Sequence, residues 1–121
     1  MLSRFFGLAP RNVERDRAVL TEIVRRIVDV AQPEQVILFG SAARGRLRPD
    51  SDFDLLVVKS GVPDTRDLTR RIYAHLYGIH MPVDVIVATP EDIQASRYKM
   101  LGRIYYEGRR LYPHTTAARW E

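Results

Sequence analysis

The feature that most constrains this chain is a carboxylate set inside an apolar run, Asp54 in Phe53-Asp54-Leu55-Leu56-Val57-Val58. A run of that length and composition reads as a strand covered on both faces, as in a sheet with helices on each side. An unpaired carboxylate is expensive to bury there, so Asp54 needs a partner. Val83-Asp84-Val85-Ile86-Val87 repeats the pattern. Either an arginine pairs with Asp84, or Asp84 joins Asp52 and Asp54, as it would if the two strands lie side by side.

The rest of the chain supplies elements to cover such strands. From Arg11 to Ala31 the residues Leu20, Ile23, Val24, Ile27, Val28 and Ala31 recur at steps of three and four, predicting an amphipathic helix that Gln32-Pro33 ends. Gln35 to Phe39 reads as a strand that stops at Gly40-Ser41, with a short helix starting at Ser41 and a loop from Arg46 to Ser51. Asp64 to Tyr77 carries Leu68, Ile72, His75 and Leu76 at helical spacing, capped by Asp64 and closed near Gly78. Pro82 sets off the third strand, Val83 to Val87. Thr89 and Pro90 mark a helix start. Ile93, Met100, Leu101, Ile104 and Tyr105 then supply one helix or two short ones, and Gly108 is the stop. Leu111 and Tyr112 add a short edge strand. This order predicts a single α/β domain, a small mixed β-sheet with flanking helices. It spans 11–113, with an N-terminal extension at 1–10 and a C-terminal tail at 114–121.

Composition removes several classes of function. The 121 residues suffice for one modest core, and 45% hydrophobic with 28% charged residues excludes a disordered chain. The absence of cysteine excludes disulfides and thiolate zinc sites. No apolar run approaches the roughly 20 residues needed to cross a bilayer. The patch around Phe5 and Phe6 is too short for a signal-peptide core, so the expected location is the cytoplasm, away from membranes. A net charge of +4 and a pI near 9.8 suit a polyanionic ligand without selecting one.

The chemistry concentrates between residues 40 and 54. A glycine at a strand end followed by a serine opening a helix lets the backbone approach a phosphate and offers it amides and a hydroxyl. Gly40 and Ser41 are therefore candidate phosphate binders, although a Gly-Ser pair alone is a common turn. Asp52 and Asp54 lie two residues apart, which on a strand points them to one face with α-carbons roughly 6.6 Å apart. Carboxylates so placed can bridge two cations, and magnesium takes one or two carboxylates plus substrate phosphates. Tyr98, Tyr105 and Tyr106 read as core or interface aromatics in preference to base-stacking residues. His75, His80 and His114 have no metal-ligand spacing and read as structural.

Gly40-Ser41, ten residues, then Asp52-Phe53-Asp54 resembles the signature of the DNA polymerase β nucleotidyltransferase superfamily. The match is similar to its minimal nucleotidyltransferase branch, which includes the antitoxins encoded beside HEPN-domain toxins, and also to aminoglycoside nucleotidyltransferases. The resemblance implies that Gly40 and Ser41 hold a nucleoside triphosphate, and that Asp52 and Asp54 ligate two magnesium ions. It implies that Asp84 is the third acid, ligating the catalytic ion and helping to deprotonate the attacking hydroxyl. Arg44 falls where an arginine steadies the β- or γ-phosphate, while Arg46 and Arg48 face solvent or incoming substrate. The implied reaction is in-line attack on the α-phosphorus with pyrophosphate leaving.

Within that resemblance, the leading expectation is transfer of AMP from ATP to a tyrosine of a HEPN-type toxin, with this chain as antitoxin. A non-catalytic module that neutralises its partner by contact, through Phe5, Phe6, Trp120 or the last helix, is the second reading. A small-molecule nucleotidyltransferase and an Asp-Xaa-Asp glycosyltransferase complete the set, the latter normally needing a much larger domain. Direct nucleic-acid binding is not expected, and assembly into a homo- or hetero-oligomer stays open.

Overall fold

The computed structural model describes residues 13–45 and 52–113. The chain runs α1 (Val13–Ala31), β1 (Gln35–Phe39), α2 (Gly40–Ala43), β2 (Phe53–Val58), α3 (Thr65–His75), β3 (Val83–Ala88), α4 (Pro90–Ala95), α5 (Met100–Glu107) and β4 (Arg109–Tyr112). The expected start of the first helix at Arg11, the loop at 46–51, the extension at 1–10 and the tail at 114–121 lie outside the described residues. The expected α/β architecture is otherwise what the chain adopts.

Local chemistry sets most of the element ends. The Asp64 side chain accepts the amide of Arg66 at 3.0 Å and starts α3. Thr89 and Asp92 form a reciprocal capping box at the start of α4, with Pro90 at a position where its missing amide costs nothing. Two short helices, not one, follow β3. The turn between them is so tight that a Cβ on Gly102 would collide with the backbone of Arg97, so only glycine lets α5 fold back there.

The four strands form one mixed sheet in the order β3-β2-β1-β4. β2 pairs parallel with β3, whereas β1 runs antiparallel to both β2 and β4. The parallel pair requires a crossover, which α3 supplies. On one face, Leu20, Ile23 and Ile27 of α1 and Leu68 and Ile72 of α3 pack on Val36, Leu38, Leu55, Val57 and Val85. The other face is closed by α4 and α5, with Ile93, Leu101, Ile104 and Tyr105 packing around Ile37, Leu56, Val58 and Ala88. Both faces of β2 are thus covered, as its unbroken apolar character requires.

An arginine ties the two helices of the first face together. Arg26 of α1 donates through Nη1 to the carbonyls of His75 and Tyr77, satisfying acceptors at the end of α3, and its Nε is held by Glu22 at 2.8 Å. Two positions depart from the helical pattern read in the sequence. His75 and Met100 both fall at apolar spacing but are exposed, because α1 and the sheet cover only part of α3, and α5 turns its first residue outward.

Ile27 is fully buried between α1 and the sheet. Its replacement by alanine is expected to lower unfolding free energy by about 3 kcal/mol. Urea denaturation should register this as a lower midpoint with an unchanged slope.

Candidate active site

β1 ends beside the start of β2, since antiparallel pairing sets Phe39 opposite Asp54. The chain then turns at Gly40, whose φ of +77° is left-handed, and enters α2 at once. No side chain caps α2, because its N-cap residue is Phe39. A Cβ on Gly40 would collide with Oδ2 of Asp54 and lie 3.3 Å from its Cγ. Glycine is therefore required twice over, for the backbone angle and for the space the Asp54 carboxylate fills. Ser41 lies half-buried in the same first turn, and Arg44 is exposed at its end.

The parallel register of β2 and β3 sets Asp54 opposite Asp84. Asp52, just ahead of β2, completes a triad in which one oxygen of each carboxylate lies within 4.8 Å of the others. Asp52 and Asp84 are exposed and Asp54 is half-buried. Burial, followed by the charges of Asp84 and Asp52, pushes the Asp54 carboxyl above the usual aspartate range. None of the ion pairs between described residues involves the triad. Asp84 thus follows the second of the two alternatives open to it in the sequence, meeting the other acids instead of an arginine.

Two carboxylate charges at the outer limit of this spacing, 4.8 Å, repel by about 3 kcal/mol at an effective dielectric near 20, and by less where water reaches them. A bound cation turns that cost into attraction. The donors are carboxylate oxygens throughout, which suits magnesium or manganese and not a soft metal. Asp52, Asp54 and Asp84 are the residues that would hold such an ion.

A cleft of about 540 Å³ that Gly40 lines opens between α2 and α5. Arg44 lines one wall, and Lys99 and Arg103 line the other. Nothing in the sequence marked Lys99 or Arg103, since only the fold of α5 back over β1 brings them near Gly40. Tyr105 packs into the second core as expected, whereas Tyr98 at the cleft mouth and Tyr106 are exposed.

Residues 18–111 match the family described as nucleotidyltransferase domain. The chain belongs to this family. Among solved structures it is similar to a candidate nucleotidyltransferase from Sulfolobus solfataricus determined at 1.40 Å, with 28% identity and a TM-score of 0.51. That alignment covers 64% of this chain and 70% of the other. No curated protein matches. Nucleotidyl transfer is therefore the general activity to which this nucleotidyltransferase domain is matched, and a nucleotide is its substrate class.

Gly40→Ala forces the Asp54 carboxylate out of position. It is expected to weaken Mn²⁺ binding by roughly 10–100-fold, the range for displaced metal-site support. Isothermal titration with Mn²⁺ would measure this, and unchanged affinity would show that Asp54 is not a ligand.

Proposed function

We propose that the chain transfers a nucleoside monophosphate, AMP from ATP, to a tyrosine hydroxyl on a HEPN-type toxin and so acts as an antitoxin. The observation that carries the nucleotidyl-transfer core of this reading is the meeting of Asp52, Asp54 and Asp84 directly beside Gly40. A place for cations adjoins a place for phosphates, which a triphosphate needs and an isolated acidic cluster does not provide. The resemblance to the minimal branch supports the acceptor. So does exposure: Asp84 lies on an edge strand and faces solvent, so an acceptor of any bulk can approach it.

In this reading Gly40 and Ser41 present the triphosphate through backbone amides and the serine hydroxyl, and Arg44 steadies its distal end. Asp52 and Asp54, together with Asp84, would hold two magnesium ions. When bound, magnesium would supply charge neutralisation at the phosphates and at the acceptor oxygen. Asp84 takes the acceptor proton as the hydroxyl oxygen bonds to the α-phosphorus, and the bridging bond to the β-phosphate breaks with its electron pair leaving on pyrophosphate. Positioning and electrostatics supply the rate, with no covalent enzyme intermediate.

The test is label transfer from α-labelled ATP to a co-purified HEPN-type partner in the presence of magnesium. Asp52→Asn and Asp54→Asn should each reduce it to background, and Asp84→Asn by about 10²–10⁴-fold, the usual worth of a general base. Chelation should abolish it. Asp54→Asn removes a repelled carboxylate, so this variant should be as stable as wild type or up to about 1 kcal/mol more stable in metal-free buffer. Transfer that survives both Asp52→Asn and Asp54→Asn would sink the metal assignment. Tight binding of the partner without any transfer would favour a contact antitoxin.

A further inference from the structure

Resting on the nucleotidyl-transfer reading, we infer that Lys99 and Arg103 bind the β- and γ-phosphates and receive the pyrophosphate leaving group in the cleft between α2 and α5. The cleft begins where the triad ends. Gly40 belongs to both, touching the Asp54 carboxylate and lining the cleft. Among the described residues the cleft walls carry Arg44, Lys99 and Arg103, with Glu107 as the single anion.

The order of strands gives the direction of the reaction. Across the sheet Asp84 stands on β3, Asp54 on β2, and α2 leaves the end of β1. In-line displacement requires the attacking and leaving oxygens to lie on opposite sides of the phosphorus. An acceptor held at Asp84 attacks from the β3 side, so the leaving oxygen departs towards β1 and α2, which is towards the cleft. The bond formed joins the acceptor oxygen to the α-phosphorus. The bond broken leaves its electron pair on pyrophosphate, whose growing charge then meets Arg44, Lys99 and Arg103.

The far wall is built for this. Lys99 is the N-cap residue of α5, and its side chain makes no capping hydrogen bond. Arg103, four residues on, lies on the same face of the helix. Its Nε stands 3.6 Å from Glu107 in a well-exposed pair that contributes little to the fold and leaves the other guanidinium donors for a ligand. Gly102 fixes the tight turn that brings both cations to the cleft.

Calorimetry on the full chain with magnesium separates this from its rivals, with inorganic tripolyphosphate as the probe and AMP as the control. The exposed double variant Lys99→Ala/Arg103→Ala should lose at least about tenfold in tripolyphosphate affinity while AMP affinity changes less than about twofold. Glu107→Gln, which removes the opposing charge, should tighten tripolyphosphate. Equal loss of both probes would overturn the inference in favour of a nucleoside pocket, and unchanged or undetectable tripolyphosphate binding would overturn it outright. The two readings fail separately. A wild type that transfers label but binds tripolyphosphate regardless of Lys99 and Arg103 keeps the activity and loses the cleft. A wild type that binds tripolyphosphate through these cations yet transfers no label keeps the cleft and loses the activity.

Discussion

Everything in this molecule depends on one pairing, the parallel alignment of β2 with β3 from Phe53 opposite Val83 to Val58 opposite Ala88. That alignment sets Asp54 beside Asp84, an arrangement that two bare carboxylates resist. It holds because the rest of both strands is apolar. Leu55, Leu56 and Val57 are fully buried, and sliding β3 by one residue would send Val85 to the face that Ile86 now occupies. The core of the sheet therefore maintains a like-charge contact at its end. A site that conflicts with local electrostatics while the surrounding packing enforces it is the kind of place where function resides.

The mixed topology then decides what the acids meet. In open parallel sheets, ligands bind outside the carboxyl ends of the strands. Here the acids lie at the amino ends of β2 and β3, and the inversion follows from β1. Because β1 is antiparallel to β2, its carboxyl end arrives beside Asp54, and the Gly40 turn into α2 forms there. One sheet end thus receives acids from two strands and a helix start from a third. The contact between Gly40 and the Asp54 carboxylate is the seam between them.

Where local chemistry determines structure, the sequence could be read. Asp64, Thr89 and Pro90 place the starts of α3 and α4 through caps that act within a few residues. Asp54 and Asp84 were conspicuous because a carboxylate contradicts its apolar neighbours. What the sequence left open was long-range. Whether β3 lies beside β2, and hence whether Asp84 meets Asp54 or an arginine, depends on the crossover and not on either strand alone. Periodicity gave His75 and Met100 apolar positions, yet it cannot say how far a covering element extends, and both are exposed. Lys99 and Arg103 gave no signal at all, since their place beside Gly40 follows from the fold of α5 over β1.

The two sides of the triad differ in a way that bears on the acceptor. Towards β1 the space is walled by α2 and α5, whereas towards β3 no further strand follows among the described residues. An open edge normally invites another strand. At this one the amide of Val85, next to Asp84, already donates to the Tyr73 hydroxyl at 2.8 Å, so a partner could not pair its backbone there without displacing that side chain. Asp84 itself remains exposed. The edge is thus closed to strand addition at the point where it is open to a single projecting group. Under the proposed function, an acceptor that offers a hydroxyl on a long, rigid side chain would satisfy both conditions, and a tyrosine presented from a folded surface has that form.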